Sequence, residues 1–345
     1  IAPLLLGVTL LADYTVAIAA GMTLLLICSR AFKFRQEEGL LGVSQSESGM
    51  RDASFISNFR GMLVLLTCIA ILAVDFVVFP RYHVKTEEFG LSLMDIGTGG
   101  FIFSSGLTSR YARGVVTSNG DQYSGGQFIK VFTVFLLGVG RFLALQTVDY
   151  HEHVSEYGLH WNFFVTLAAV WALAAGLHKC VTTPAALIAI GLTLLIGHEA
   201  MIHLTEIDDF VLFAPREGNL FIANREGILS LPGFTALYIL AQALGRVCIF
   251  KAHSTGMSNA MNTPAPAKAA AADAHSVISH VGPLAGTSLL LVAALHCCYI
   301  FPASRRLTNL PYIMSVFALC CSILVICAFV DLNSESSKSE SVLFR

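Results

Sequence analysis

The run Tyr150-His-Glu-His-Val-Ser-Glu-Tyr-Gly-Leu-His-Trp-Asn-Phe-Phe164 holds three histidines, two glutamates, two tyrosines, a tryptophan and an asparagine in fifteen residues. Imidazoles and carboxylates at this density can relay protons, orient a polar substrate or hold a metal. The chain around them is 55% hydrophobic and only 13% charged, and the run sits between two long apolar stretches. It therefore lies at or just inside a membrane surface, where ionisable groups are costly and mark a functional site. The plainer alternative is a polar loop that happens to be rich in histidine.

A second constellation precedes it. Asp75 stands near the end of the apolar run Ile69-Ala-Ile-Leu-Ala-Val-Asp-Phe-Val-Val-Phe79, about a turn before Pro80. A carboxylate in such a span costs about 2.5–3.5 kcal/mol at the helix centre and less toward the interface. Arg81, His83, Lys85, Glu87, Glu88 and Asp95 follow. Across the proline break, Asp75 and Lys85 can fold back into one pair. That pair is either a structural tie between helices or a carboxylate base beside a cationic stabiliser, both tuned by a partly dry site.

Further polar breaks occur at Ala223-Asn-Arg-Glu-Gly-Ile228 and Arg305-Arg-Leu-Thr-Asn-Leu-Pro311. Arg225 suits bidentate phosphate binding or a solvated loop, and adjacent arginines such as Arg305 and Arg306 commonly anchor headgroups. Arg141, nine residues before Tyr150, adds a cation beside the histidines. Metal motifs fail inspection. His198-Glu-Ala-Met-Ile-His203 has one residue too many for H-E-x-x-H, which sets its imidazoles about 140° apart on a helix. His151 and His153, with Glu156 or His160, are a weaker chelating set. There is no G-x-S-x-G elbow, and the glycine-rich segment at Gly97 lacks a lysine, so a serine hydrolase and a nucleotide loop are both unsupported.

The elements that must position these groups are membrane helices. A mean hydropathy of +0.70 over 345 residues fits an all-α, polytopic transmembrane helical bundle. About nine spans are expected: Ile1–Cys28, Gly61–Phe79, Gly97–Ser109, Phe128–Leu145, Phe163–Leu177, Pro184–His203, Leu231–Phe250, Val281–Phe301 and Pro311–Val330. The third is short and glycine-rich, which suits a helix buried among others. Residues 1–331 read as a single transmembrane domain, 252–280 as a flexible Ala/Pro loop and 332–345 as a polar tail. The net charge of −2 gives no sign of nucleic acid, and the nine cysteines form no C-x-x-C pair. Counting spans puts the Pro80, His-rich, Glu206–Ser230 and Arg305 loops on one face, with more Lys and Arg on the other. The positive-inside tendency makes the polar face non-cytosolic. This convergence requires the third span to cross.

Several blocks resemble the inositol acyltransferase family of glycosylphosphatidylinositol (GPI) anchor synthesis, multispanning enzymes of the endoplasmic reticulum. They are Gly61-Met-Leu…Ile-Leu-Ala-Val-Asp-Phe…Phe-Pro80, Lys85-Thr-Glu…Gly-Leu-Ser-Leu-Met-Asp-Ile-Gly97, Tyr150–Phe164, Ala223–Ile228 and Arg305-Arg…Asn-Leu-Pro-Tyr312. The family moves a fatty acyl group, usually palmitoyl, from acyl-CoA to the inositol 2-hydroxyl of glucosaminyl-phosphatidylinositol. The resemblance implies that Asp75 and Lys85 are the catalytic pair. It implies a substrate site shaped by Asp95, His151, Glu152, His153, Glu156, Tyr157, His160, Trp161 and Asn162, with Asn224 and Arg141 beside it. Arg81, Arg225 and Arg305 would hold phosphates of lipid or CoA. Acyl-CoA is a co-substrate, and no other cofactor or metal is implied. The chain departs from the family at Tyr82, where a second basic residue is usual, and in lacking a lysine between Arg141 and Tyr150. The family has further spans at both ends, so a truncated chain is expected. A proton-coupled transporter and a non-catalytic scaffold of the same pathway remain as alternatives. A transporter would spread its ionisable groups along helix interiors.

Overall fold

The computed structural model describes residues 54–114, 125–148, 156–181, 183–216, 218–250, 280–282, 284–286 and 302–333. Helix α1 is Ser54–Ala73, followed by a 3-10 turn at Arg81–His83, α2 at Ile96–Leu107, α3 at Gly125–Gln146, α4 at Phe163–Cys180 and α5 at Pro184–Leu204. Three short helices come next: α6 at Ile207–Phe213, α7 at Leu220–Ala223 and α8 at Arg225–Leu229. Helix α9, Leu231–Leu244, runs into a π turn at Gly245–Ile249, and α10 is Leu310–Asn333. The described residues contain no strand.

Among the described residues, six segments are long and apolar enough to cross a membrane: Phe55–Ala73, Gly126–Gln146, Phe163–Cys180, Pro184–Leu204, Arg225–Ile249 and Leu310–Asp331. They match six of the nine expected spans, and α2 matches the short third one. The Ile1–Cys28 span lies outside the described residues, as do nearly all of the Val281–Phe301 span, the 252–280 loop and the polar tail. The chain is a multi-pass α-helical membrane protein.

Local chemistry marks the helix ends. Asn162 caps α4, its side-chain oxygen accepting from the N–H groups of Phe164 and Val165, and Thr183 caps α5 with Pro184 just inside. Helix α9 is the centre of the bundle, packed on α2, α4, α5 and α10. Most of the Arg225–Ile249 segment is buried and almost none of α3 is, so α9 is enclosed by protein and α3 is the peripheral wall. Gly106 lets α2 approach α9 closely: a Cβ there would stand 2.5 Å from the Tyr238 carbonyl oxygen.

The third span does cross the bundle. Its first end meets Arg305, ahead of α10, through Asp95. Its second end carries Ser109, which accepts from Gln242 at 3.1 Å, and Tyr111, which stacks on His178 at 4.5 Å near the end of α4. Twelve helical residues rise about 18 Å, so the flanking turns complete the path. The Pro80, Glu156, Asn224 and Arg305 segments accordingly meet at one end of the bundle, as the loop count required. Labels introduced at Glu88 and Asn219 should report one side of the membrane and a label at Lys179 the other. Opposite labelling of Glu88 and Asn219 would contradict this arrangement.

One boundary differs from expectation. The second span was expected to run from Gly61 to Phe79, whereas α1 begins earlier and ends at Ala73. Asp75 is therefore exposed in a turn and is not a mid-span carboxylate. Pro80 cannot continue a helix and disfavours helical geometry in the residue before it. Arg81 completes the stop by donating Nη1 to the Val74 carbonyl at 3.1 Å, one of the acceptors a helix end leaves open.

Candidate functional site

Asp95 is the anchor of the polar end. It is fully buried, and its Oδ2 accepts from Ser92 N (3.1 Å), Ser92 Oγ (2.9 Å), Thr86 N (3.1 Å) and Thr86 Oγ1 (2.9 Å). The Asp95 N–H in turn reaches Ser92 Oγ at 3.4 Å, so Ser92-x-x-Asp95 closes as a reciprocal capping box at the entry to α2. Tyr312, on α10, donates its hydroxyl to the Asp95 carbonyl at 2.8 Å.

From Asp95 a line of alternating charges leads outward. Arg305 Nε lies 3.1 Å from Asp95 Oδ1, and Arg305 Nη1 lies 3.7 Å from Glu156 Oε2. The other Glu156 oxygen accepts from Lys85 Nζ. Two cations and two carboxylates from three separate segments thus form one neutral cluster, largely withdrawn from solvent. Burial, and after it the Arg305 cation, pulls the Lys85 ammonium below its ordinary range, while Glu87 and Asp95 pull it up. A lysine so placed is a stronger hydrogen-bond donor and a more willing proton donor than a surface one.

A second cluster sits beneath. Glu226 is fully buried and accepts from Arg216 through both oxygens, Nη1 to Oε2 at 3.0 Å, and from Arg306 Nη2 at 3.2 Å. Arg225 Nε is 3.6 Å away. Arg306 also donates to the carbonyls of Glu87 (3.3 Å) and Val211 (3.2 Å), tying the α1–α2 connection to the segment after α5.

Within the described residues, the His-rich run is fastened to the α7–α8 corner. Leu159 N donates to the Ala223 carbonyl, Gly227 N to the Tyr157 carbonyl and His160 N to Asn224 Oδ1. Gly158 permits this contact. Its φ is +118°, and a Cβ would stand 2.5 Å from Asn224 Cα. Tyr157 shares a hydrogen bond with Thr98 on α2 at 3.1 Å, and Trp161 donates its indole N–H to Thr166 at 2.8 Å. Gly158→Ala and Asn162→Ala should therefore lower the melting temperature in detergent. The loss of the α4 cap alone is worth about 0.5–2 kcal/mol. Unchanged melting of both variants would show that the run is held by other contacts.

The structure sorts the predicted residues unevenly. Lys85, Asp95, Glu156 and Arg305 come together, with Tyr157, His160, Trp161 and Asn224 close by. His151, Glu152 and His153 lie outside the described residues. Among the described residues no ion pair joins Asp75 to Lys85, because Glu156 takes the lysine instead. Arg225 is only 2% exposed and donates to the carbonyls of Val211, Ala214 and Pro215, so it faces inward as a loop fastener and not outward to a phosphate. Asn162 is 2% exposed, engaged as the α4 cap and bonded to the Gly138 carbonyl, so it too supports the fold. Arg81 and Arg141 are exposed at the rim. Arg306 is buried and Arg305 is half-buried and paired with carboxylates, in contrast to the headgroup-anchor reading. Glu226, Arg216 and the Ser92/Thr86 cradle were not singled out from the sequence, and Arg306 was read only as a headgroup anchor; of these only Ser92-x-x-Asp95 carried a readable signal.

The model of the GWT1 family matches residues 1–342. The chain is 35% identical over 278 residues to GPI-anchored wall transfer protein 1 of Yarrowia lipolytica, covering 78% of this chain and 55% of that protein. It is 34% identical over 298 residues to the protein of the same name in Gibberella zeae, covering 80% and 56%. A protein of Arabidopsis thaliana is 32% identical over 347 residues, covering 99% of this chain and 73% of its own length. The chain thus spans little more than half the length of these fungal relatives. Matched along nearly its whole length, this chain belongs to the GWT1 family.

Proposed function

We propose that the protein is an O-acyltransferase of GPI-anchor biosynthesis. It moves a fatty acyl group, palmitoyl in the first instance, from acyl-CoA to the inositol 2-hydroxyl of glucosaminyl-phosphatidylinositol, in the endoplasmic reticulum membrane with the charged end of the bundle toward the lumen. The observation that carries this reading is the Lys85–Glu156–Arg305–Asp95 cluster, a preorganised, partly dry set of charges at the end of the bundle where a lipid headgroup is met. The names of the fungal relatives connect the family to GPI anchoring. A proton-coupled transporter fits less well, because the described ion pairs gather at one end.

In the proposed reaction the inositol hydroxyl attacks the thioester carbonyl. Asp75, exposed at the same end, accepts the hydroxyl proton. Lys85 faces the developing oxyanion, and Arg305 and Glu156 hold it there. The C–S bond breaks as the C–O bond forms, and the departing CoA thiolate takes up a proton. Arg81 and Arg141, both exposed, face the phosphates of lipid or CoA. Tyr157, His160, Trp161 and Asn224 shape the acceptor side, together with His151, Glu152 and His153.

Transfer of radiolabelled palmitate from palmitoyl-CoA to glucosaminyl-phosphatidylinositol, in membranes that contain the protein and in membranes that lack it, tests the reading directly. Equal labelling in both would refute it. The pH profile adds a second test. Activity that needs protonated Lys85 disappears as pH rises through a midpoint below the ordinary lysine range. Arg305 is one of the groups depressing that midpoint. Arg305→Gln should therefore move the alkaline limb upward while slowing the reaction, and an unmoved limb would separate Arg305 from Lys85.

A further inference from the structure

We propose that His198 and Glu199 are positioning residues that hold Arg305 between Asp95 and Glu156 by clamping the loop ahead of α10. This inference rests on the reading of the Lys85–Arg305 cluster as the working site.

Arg305 shows why a clamp is needed. Its side chain is about 10% exposed, and it faces two carboxylates as ion pairs without an aligned hydrogen bond to either, its buried Nε being unsatisfied. A guanidinium held in this way takes its position from its backbone. That backbone is fastened at many points. Asn309 Oδ1 accepts from Ser304 N at 2.9 Å, and Asn309 Nδ2 donates to the Pro302 carbonyl at 2.8 Å. Ser304 Oγ donates to the Glu88 carbonyl at 2.6 Å. At its centre Thr308 adopts φ +48°, a conformation that costs a non-glycine residue energy and persists only where its surroundings impose it.

Two adjacent residues at the end of α5 grip the loop on either side of Thr308. His198 is 4% exposed, and its Nε2 lies 2.8 Å from the Leu307 carbonyl oxygen, a partner that requires the ring nitrogen to donate. Glu199 is 8% exposed, and its Oε2 accepts the Leu310 N–H at 2.7 Å, a donor that α10 leaves without a partner inside the helix. His203 reaches the other Glu199 oxygen at 3.0 Å and fixes the carboxylate plane. The His198-Glu-Ala-Met-Ile-His203 segment, which failed as a zinc motif, thus has a mechanical use one step removed from the reacting atoms.

The test is a double-mutant cycle on palmitoyl transfer by the full-length protein, normalised to monodisperse folded protein. Glu199→Leu removes the acceptor and should lower kcat about 10-fold or more, the scale expected when a working group is displaced. Glu199→Gln keeps an oxygen for Leu310 and should retain most of the rate. In an Arg305→Gln background, Glu199→Leu should cost less than about 2-fold further, because a residue that acts through Arg305 has nothing left to position. Losses that multiply would overturn the proposal, as would a slow Glu199→Leu beside a fully active Arg305→Gln. If Glu199→Leu does not accumulate as folded protein, Glu199→Asp and His198→Gln run the same cycle. Wild-type transfer by both Lys85→Met and Arg305→Gln would instead sink the reading of the site itself. Loss in those two variants with multiplying Glu199 effects would leave the site standing and remove only the clamp.

Discussion

Lys85→Met should lower acyl transfer at least about 100-fold, the low end of what removing a positioned acid–base or charge-stabilising group costs. Methionine keeps the aliphatic stem and deletes the charge, so packing is disturbed little. Glu156 retains Arg305 as a neighbour at 3.7 Å, which keeps its carboxylate paired. The protein should therefore still insert and reach normal levels, and the loss should lie in turnover per folded molecule. Asp75→Asn should give a loss of similar size for a different reason, since the amide keeps the shape and cannot accept the hydroxyl proton. Asp75 is exposed and packs against little, so instability is not an available explanation for its loss. Near-normal turnover in Lys85→Met would show that the cluster is a structural tie between loops, and near-normal turnover in Asp75→Asn would place the base elsewhere.

Glu226→Leu should act on stability rather than turnover. The buried carboxylate is shared by Arg216 and Arg306, with Arg225 close by. Its removal leaves buried cations facing one another without compensation, and breaking such a pair from one side costs about 3–5 kcal/mol. The expected result is a sharp fall in folded protein and in detergent melting temperature. Glu226→Gln retains an acceptor oxygen and should fall between the two. A Glu226→Leu protein that melts like the wild type would mean that the arginines find other partners, and the cluster would then not be the brace between the α1–α2 connection and the α10 loop.

The apolar runs were sufficient to identify the fold class, because a segment with about 20 apolar residues has one economical solution in a bilayer. Loop parity around those runs was also enough to bring the Pro80, His-rich, Asn224 and Arg305 segments to one end. The starts of α4 and α5 fell at Phe163 and Pro184 as the apolar runs required, whereas the Ser92-x-x-Asp95 box, although local, was passed over. What the sequence did not determine was which charge meets which. Lys85 takes Glu156, 71 residues away, and Arg306 takes Glu226, 80 residues away. Such choices follow from the packing of α2, α5 and α10 around α9 and leave no local periodicity to read. Hydropathy likewise could not end α1 at Ala73, because Val77 and Val78 are as apolar in a turn as in a helix. Whether an arginine points out to a phosphate or in to a carbonyl is settled by the geometry of the surrounding loops. Tertiary structure therefore turned Arg225 inward and drew the Arg305–Arg306 pair out of solvent, giving Arg305 to the site and Arg306 to its foundation.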